Sequence, residues 1–382
     1  MTQPASQLKS HFLLDPDVIF LNHGSFGACP RPVFDEYQRW QRELERQPVL
    51  FLARHVDALL DDARGVLADT LHADADDLVF VENATTGVNI AARSVSLQPG
   101  DEILMTDHEY GACEYTWQAT AAKTGAVIVR RSMPLPMTTP TAFVEAFWGG
   151  VTPRTRVIFI SHITSPTALI FPVADICHRA RQAGIITVID GAHAPGQIPL
   201  DLALIDADYY TGNLHKWLCA PKGSGFLYVR REHQAAVQPT IISWGWHDDG
   251  SFIARHQKQA TRDPAAYLSV PAAIAFQAAH RWDVVRADCH TLAVQFAAHA
   301  SGLLSLPSLA PADWVGQMVT LPLPPCDPAA VKTRLYDQYR IEAPVFHWQN
   351  RQYVRVSVQG YNTQADLDSC IDALREIFYA PS

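Results

Sequence analysis

Between residues 77 and 230 short apolar runs recur at intervals long enough to hold a helix: DLVFV at 77, EILMT at 102, AVIVR at 126, RVIFI at 156, IITVID at 185, DYYTG at 208 and GFLYVR at 225. Strands buried on both faces read as continuous apolar runs, and parallel neighbours need a crossover between them. The alternation therefore predicts an α/β fold with a mostly parallel seven-stranded sheet. Helix signals fill the gaps, among them the stretch from Thr85 and the run Val173 to Ala183 closed by Gly184. Sites in such folds lie at the carboxyl ends of strands, which directs attention to residues 82–86 and to Asp190.

The pattern changes on either side of this core. Residues 33–70 carry helical periodicity interrupted at Pro48, which predicts two helices. Beyond residue 262 an Ala-rich helical stretch runs from Pro264 to about Arg286 and a second helix to about Leu304. Strands follow near Met318 to Leu323 and Tyr353 to Val358, then a closing helix from Gln364 to Phe378. The division expected is an N-terminal segment (1–30) reaching the active site, a large α/β domain (31–262) and a smaller C-terminal α+β domain (263–382).

Composition excludes several classes of function. A chain of 382 residues that is 48% hydrophobic and 18% charged can bury a real core, and its net charge of −9 offers no general attraction for nucleic acid. No apolar run approaches the roughly 20 residues of a membrane span, and MTQPASQLKS lacks the order of a signal peptide. The seven cysteines, Cys29, Cys113, Cys177, Cys219, Cys289, Cys326 and Cys370, are scattered and form no CxxC pair, as expected of reduced thiols in the cytoplasm. No metal site is expected.

Two residues carry the chemistry. Asp190 ends one apolar run and Lys216 follows the next, so both can reach one molecule from neighbouring strands. The pair suits pyridoxal phosphate: a lysine amine condenses with the aldehyde, while a carboxylate keeps a proton on the pyridine nitrogen. A lysine between His215 and the apolar Trp217-Leu218 is costly to bury unless neutral or covalently used. The run Glu82-Asn83-Ala84-Thr85-Thr86-Gly87 ends a strand and opens a helix, where free N–H groups suit a phosphate, although Thr85 or Thr86 as a simple N-cap explains the same residues. Neither GxxxxGK[ST] nor GxGxxG is present.

The runs FLNHGSFGACP at 20, NATTGVN at 83, DHEYGAC at 107, DGAHAPG at 190, TGNLHKWLCAPKGSGFLYVR at 211, TRDPAAYL at 261 and YVRVSVQGYNT at 353 together resemble the class V aminotransferase family. Within that family they are most similar to the isopenicillin N epimerase branch, which includes hercynylcysteine sulfoxide lyases. The resemblance implies the fold-type-I transferase fold and pyridoxal 5'-phosphate as cofactor. It implies that Lys216 bonds the cofactor, that Asp190 pairs with the ring nitrogen, and that His193 and Ser165 serve the phenolic oxygen or ring. Thr85, Thr86, Asn213 and His215 would surround the phosphate, and Tyr110 or His108 would stack on the ring. Thr261 matches a position that reaches the phosphate of a neighbouring subunit, which implies a homodimer. Arg355 matches the arginine that grips a substrate α-carboxylate, with Asn22 and His23 approaching the substrate from the same side.

Removal of the Cα proton of a bound amino acid is common to the branch; epimerisation, C–S lysis and transamination then compete. Desulfuration by a cysteine thiolate is disfavoured, because residues 327–355 hold no cysteine and Cys326 lies upstream in a Pro-rich run. Trp244, Trp246 and Trp348 are candidates to line a pocket for a long or sulfur-containing side chain. A non-catalytic binding module is the reading from another class, and the presence of Asp190, Lys216 and Arg355 together argues against it.

Overall fold

The computed structural model describes residues 8–247 and 250–379. All seven strands expected from the apolar runs are present: β1 (Leu78–Val81), β2 (Glu102–Thr106), β3 (Val127–Arg131), β4 (Thr155–Ser161), β5 (Ile186–Asp190), β6 (Tyr209–Asn213) and β7 (Gly225–Val229). Their order across the sheet is β1-β7-β6-β5-β4-β2-β3. Only β7 runs antiparallel to its neighbours. The segment 214–224 between β6 and β7 is too short for a crossover helix, so the chain must turn straight back. That return holds Lys216 at the end of β6, beside the end of β5 where Asp190 sits.

Six helices of nine or more residues accompany the sheet among the described residues: α1 (Arg31–Arg46), α2 (Val56–Leu71), α3 (Ala84–Ser94), α4 (Gly111–Thr124), α5 (Pro140–Trp148) and α6 (Val173–Gln182). Alternate residues of the central strands feed two cores. Ile158 and Ile160 of β4 join one, Val157 and Phe159 the other. The outer strand β3 is half-exposed and carries Arg130 and Arg131, which discourage pairing with another chain.

The C-terminal part comprises α7 (Val270–Ala279), α8 (Trp282–Leu304), β8 (Met318–Leu323), α9 (Pro328–Tyr339), β9 (Val345–Trp348), β10 (Arg351–Ser357) and α10 (Gln364–Tyr379). Here the sequence expectation needs correction twice. The break between helices falls at Arg281, whose φ is +51°, so α8 begins before Arg286. A strand was also missed: β9 forms a hairpin with β10 through Gln349 and Asn350, both left-handed at φ +45° and +62°. Two such residues match the twist of a tight hairpin, but Gln-Asn is a weaker signal than Asn-Gly. Strands β9, β10 and β8 form an antiparallel sheet in that order.

The N-terminal segment ties the two parts together. Ile19–Phe20 pairs in parallel with Ile341–Glu342, and the Leu21 carbonyl accepts from the Ser357 amide. Residues 22–28 are thereby laid against the loop that carries Lys216. No helix among the described residues is long and apolar enough to cross a membrane.

Candidate active site

A cavity of about 650 Å³ opens at the carboxyl ends of β4, β5 and β6. Of the residues singled out from the sequence, Thr85, Thr86, Tyr110, Ser165, Asp190, His193, Asn213, His215, Lys216 and Arg355 all contribute to its wall.

Asp190 is the last residue of β5 and is 3% exposed. Its Oδ1 accepts from the Ala192 amide at 2.9 Å and its Oδ2 from the Cys113 thiol at 3.4 Å. Burial raises its pKa, while the Ala192 amide and Lys216 oppose the rise. Lys216 reaches the cavity with its amine 3.2 Å from His193 Nε2. Burial, and next the Arg355 charge, lower the lysine to about 7. The amine is thus divided between its charged and neutral forms near neutral pH, as a nucleophile or proton acceptor requires.

His193 has a defined orientation. The Trp217 indole N–H donates to its Nδ1 at 3.3 Å, so the neutral ring carries its hydrogen on Nε2, toward Lys216. Burial and the surrounding cations hold its pKa well below the usual histidine value. His215 donates from Nδ1 to the Ser224 carbonyl at 3.0 Å and is lowered to about 4, mainly by burial.

The phosphate-binding reading of residues 83–86 gains from the identity of the cap. Asn83 is the N-cap of α3 and its side chain accepts from the Thr86 amide at 2.9 Å, so neither threonine is spent on capping. Asn213 Oδ1 accepts the Ala84 amide at 2.8 Å and braces the same turn. The first turn of a helix leaves other amides without intrahelical partners, so the Thr85 amide joins two hydroxyls at the cavity wall.

Arg355 sits on β10 between the buried Val354 and Val356 and is 6% exposed. Its guanidinium donates to the Ser165 carbonyl at 2.7 Å, the Ser165 hydroxyl at 3.2 Å and the Ser25 hydroxyl at 3.0 Å. Nε is buried without a partner. Burial lowers its pKa to about 10, which still leaves it charged at neutral pH. A buried, incompletely satisfied guanidinium calls for an anion. Ser165, expected at the phenolic oxygen, braces this arginine.

Several expected residues lie elsewhere. Asn22 donates to Glu342 at 3.0 Å and accepts from Ser25 at 2.5 Å, so it orients Ser25 from behind the wall. His23 is completely buried, with Nδ1 3.0 Å from the Tyr361 hydroxyl and Nε2 3.0 Å from the Lys216 carbonyl; it supports the lysine from behind. The residues of this turn that reach the cavity are Gly24, Ser25 and Phe26. His108, the alternative to Tyr110, is buried against Phe171 and Trp348 with Nδ1 2.8 Å from Thr167 Oγ1, whereas Tyr110 is 46% exposed at the cavity. Thr261 lines a separate cleft of about 530 Å³ together with Trp244. Trp244 and Trp246 do not line the main cavity; Trp348 lines an annex of about 320 Å³ that shares Tyr110, Ser165 and Arg355 with it. Sequence reasoning missed Ser161, which lines the cavity, and Glu109, Cys113 and Trp217, which stand behind it. Glu109 and Cys113 lie within three residues of Tyr110 and Trp217 follows Lys216, whereas the signal at Ser161 was only its place directly after the run RVIFI.

Residues 28–370 match the profile described as aminotransferase class V. The chain belongs to the class V aminotransferase family. It is 38% identical to an isopenicillin N epimerase from Amycolatopsis lactamdurans over 95% of this chain and 96% of that one. It is 23% identical to a hercynylcysteine sulfoxide lyase from Schizosaccharomyces pombe, with 94% of each chain covered. A lysine-to-alanine mutant of C-DES, solved with glycine covalently linked to its pyridoxal-phosphate cofactor, superposes with a TM-score of 0.81 at 22% identity. That match covers 94% of this chain and 96% of the other. This member of the class V family is a pyridoxal-phosphate-dependent enzyme of fold type I. The residues present fit the cofactor: a cavity of suitable size, a dehydrated amine, a buried carboxylate and a helix N-terminus converge on it.

Proposed function

We propose that the enzyme epimerises an amino acid at Cα. The observation that carries this reading is the convergence of Lys216, Asp190 and the incompletely satisfied Arg355 on one cavity. Identities of 38% and 36% to two isopenicillin N epimerases favour epimerisation over C–S lysis or transamination.

Bound pyridoxal phosphate supplies an electron-withdrawing ring that weakens the Cα–H bond of an attached amino acid. Arg355 grips the α-carboxylate with its planar fork and so fixes Cα in place. Asp190 would hold a proton at the ring nitrogen. Lys216, at the neutral end of its titration, takes the Cα proton at Nζ, and His193 orients that amine through its Nε2 hydrogen. Thr85, Thr86 and the α3 N-terminus, with His215 and Asn213, would hold the phosphate, and Tyr110 would cover the ring. Inversion requires return of a proton to the opposite face of Cα by a second acid or a water.

No cysteine among the described residues lines the cavity. Cys326 is half-buried on the loop after β8, and burial raises its thiol. This argues against thiolate-driven desulfuration.

The same reading takes residues 31–262 as the cofactor-binding body, 263–382 as the carboxylate-gripping part and 1–30 as the segment joining them. It takes the working form as a homodimer in which Thr261 serves the partner's phosphate site. Exposed Ile241, Ile242 and Trp244 near Thr261 offer apolar surface for a second copy to cover. Seven unpaired cysteines suit a reducing, cytoplasmic setting.

Incubation with candidate amino acids in heavy water tests the reaction. Deuterium at Cα with inverted configuration is expected. Pyruvate release, or a keto acid with the aminated cofactor, would replace epimerisation by lysis or transamination.

A further inference from the structure

Glu109 is a carboxyl group that the reaction outlined above does not use. It is 6% exposed, three residues beyond the end of β2, and is held by three donors or hydroxyl partners. Thr106 Oγ1 lies 2.5 Å from its Oε1, while the Ser161 amide at 2.9 Å and the Ser161 hydroxyl at 2.6 Å both meet its Oε2. Ser161 lines the cavity and is the registered neighbour of Asp190 across β4 and β5. On the far side of Asp190 the Cys113 thiol donates to the carboxylate. Two buried carboxyl groups thus share the floor of the site, linked through Ser161.

A hydroxyl facing an ionised carboxylate must donate to it, whereas a protonated carboxyl can donate in return and release the hydroxyl's own hydrogen to point elsewhere. The Ser161 amide has no such choice. It always donates to Oε2, so any change in the protonation of Glu109 is expressed at the two hydroxyls.

We propose that Glu109 is a positioning residue: while ionised it holds the Thr106 and Ser161 hydroxyl hydrogens on its carboxylate, and once protonated it donates to one of them and leaves that hydroxyl's hydrogen to point elsewhere. By the same change it sets the negative charge that accumulates beside Asp190 at the ring nitrogen. The inference rests on the pyridoxal-phosphate site described above and adds a control on its charge.

The groups facing Glu109 determine when this happens. Asp190 on β5 repels a second negative charge, and Cys113 on α4 is a buried neutral thiol. Lys216 and Arg355 are the cations across the cavity, and Tyr110, Asp107 and Glu114 flank the annex that Glu109 also lines. Burial raises Glu109 to about 8, with Asp190 acting in the same direction and the Ser161 and Thr106 hydrogen bonds opposing. The carboxyl is therefore protonated at neutral pH and ionises in the alkaline range.

The test is the pH titration of the visible cofactor band in the reconstituted enzyme. Glu109→Gln mimics the protonated acid in the form that accepts from Ser161 and donates to Thr106. Ionisation of Glu109 adds a negative charge that holds nearby protons more tightly. In the alkaline range, where Glu109 is ionised, Glu109→Gln should therefore move the titration of the band to lower pH by on the order of one unit. Thr106→Val removes a donor to the ionised form, so Glu109 should stay protonated to higher pH and the alkaline titration should shift part of the way in the same direction. Alkaline titrations unchanged in both variants, with the band intact, would overturn the inference and leave the cofactor reading standing. A wild-type protein with no band would remove both. If Glu109→Gln does not fold, Thr106→Val alone decides the matter by whether its alkaline titration moves to lower pH.

Discussion

The Nζ of Lys216 lies 3.2 Å from Nε2 of His193, and the Trp217 indole fixes the imidazole by donating to its other nitrogen. The contact joins a neutral ring to an amine whose pKa burial has brought to about 7. The sign of the pH dependence follows. An amine with a lowered pKa remains neutral down to about 7, so cofactor capture by the apoprotein should be nearly independent of pH above that value and slow about tenfold per unit below it. Stopped-flow absorbance at a fixed pyridoxal phosphate concentration checks this. Trp217→Phe frees the imidazole to change tautomer and should slow capture severalfold, while Lys216→Ala should abolish both the visible band and turnover.

A buried lysine of this kind also costs stability. Its folded pKa lies below its unfolded value of about 10.4, so the folded protein binds fewer protons between the two values. The penalty is complete below about pH 7 and fades as pH rises toward the unfolded pKa. Lys216→Met should raise the apoprotein's stability by a few kcal/mol, of order 2, at pH 6. The gap should close near pH 10, and urea melts at the two pH values measure it.

Arg355 binds protein through Nη1 and Nη2 and keeps Nε free. A lysine in its place would retain charge and lose the fork that holds Ser165 and Ser25. Arg355→Lys should lower kcat/KM for amino acids by about 100-fold, mostly through KM, because a charge-assisted pair is worth about 2–3 kcal/mol. The visible cofactor band should be unchanged. Steady-state kinetics beside absorbance spectra separate loss of substrate binding from loss of cofactor.

The large sheet was legible because its inner strands are buried on both faces and announce themselves as apolar runs, and even the half-exposed β3 keeps the run AVIV. Asp190 and Lys216 were legible because chain order places them at the ends of β5 and β6. What the sequence did not disclose depends on side-chain direction. Asn22 and His23 share the turn that reaches the site, yet they point away from the cavity, and Ser25 and Phe26 take the places expected of them. Periodicity cannot assign inward and outward faces in a turn of this length. Glu109 was hidden for a related reason: between His108 and Tyr110 it reads as a loop acid, and only the packing of β2 on β4 turns it under Ser161.

Gly27 tests the closeness of the N-terminal segment to the lysine loop. Its φ is +71°, and a Cβ there would come 1.9 Å from the His215 carbonyl oxygen and 2.9 Å from the Lys216 Cα. Gly27→Ala meets both a left-handed backbone and two main-chain clashes, which together cost about 3 kcal/mol or more. The expected result is a lower melting temperature together with weaker retention of pyridoxal phosphate, since the displaced backbone carries Lys216. A variant that melts normally and binds cofactor normally would show that residues 215–216 can shift freely.

Thr261 supplies the sharpest check on subunit organisation. In one chain it lines a cleft apart from the main cavity, beside the exposed Trp244. If the partner's phosphate receives its hydroxyl, Thr261→Ala weakens cofactor binding by about tenfold, the value of one hydrogen bond to a charged group, without altering the fold of either subunit. Mixing makes the argument specific. A chain with Lys216→Ala is inactive but presents a normal Thr261, and a chain with Thr261→Ala has a normal lysine. In a mixed dimer the second chain's lysine site receives Thr261 from the first, so cofactor affinity at that site should return to the wild-type value. Affinity that stays weak in the mixed dimer would place Thr261 in the service of its own chain, and sedimentation showing a monomer at micromolar concentration would remove the shared site altogether.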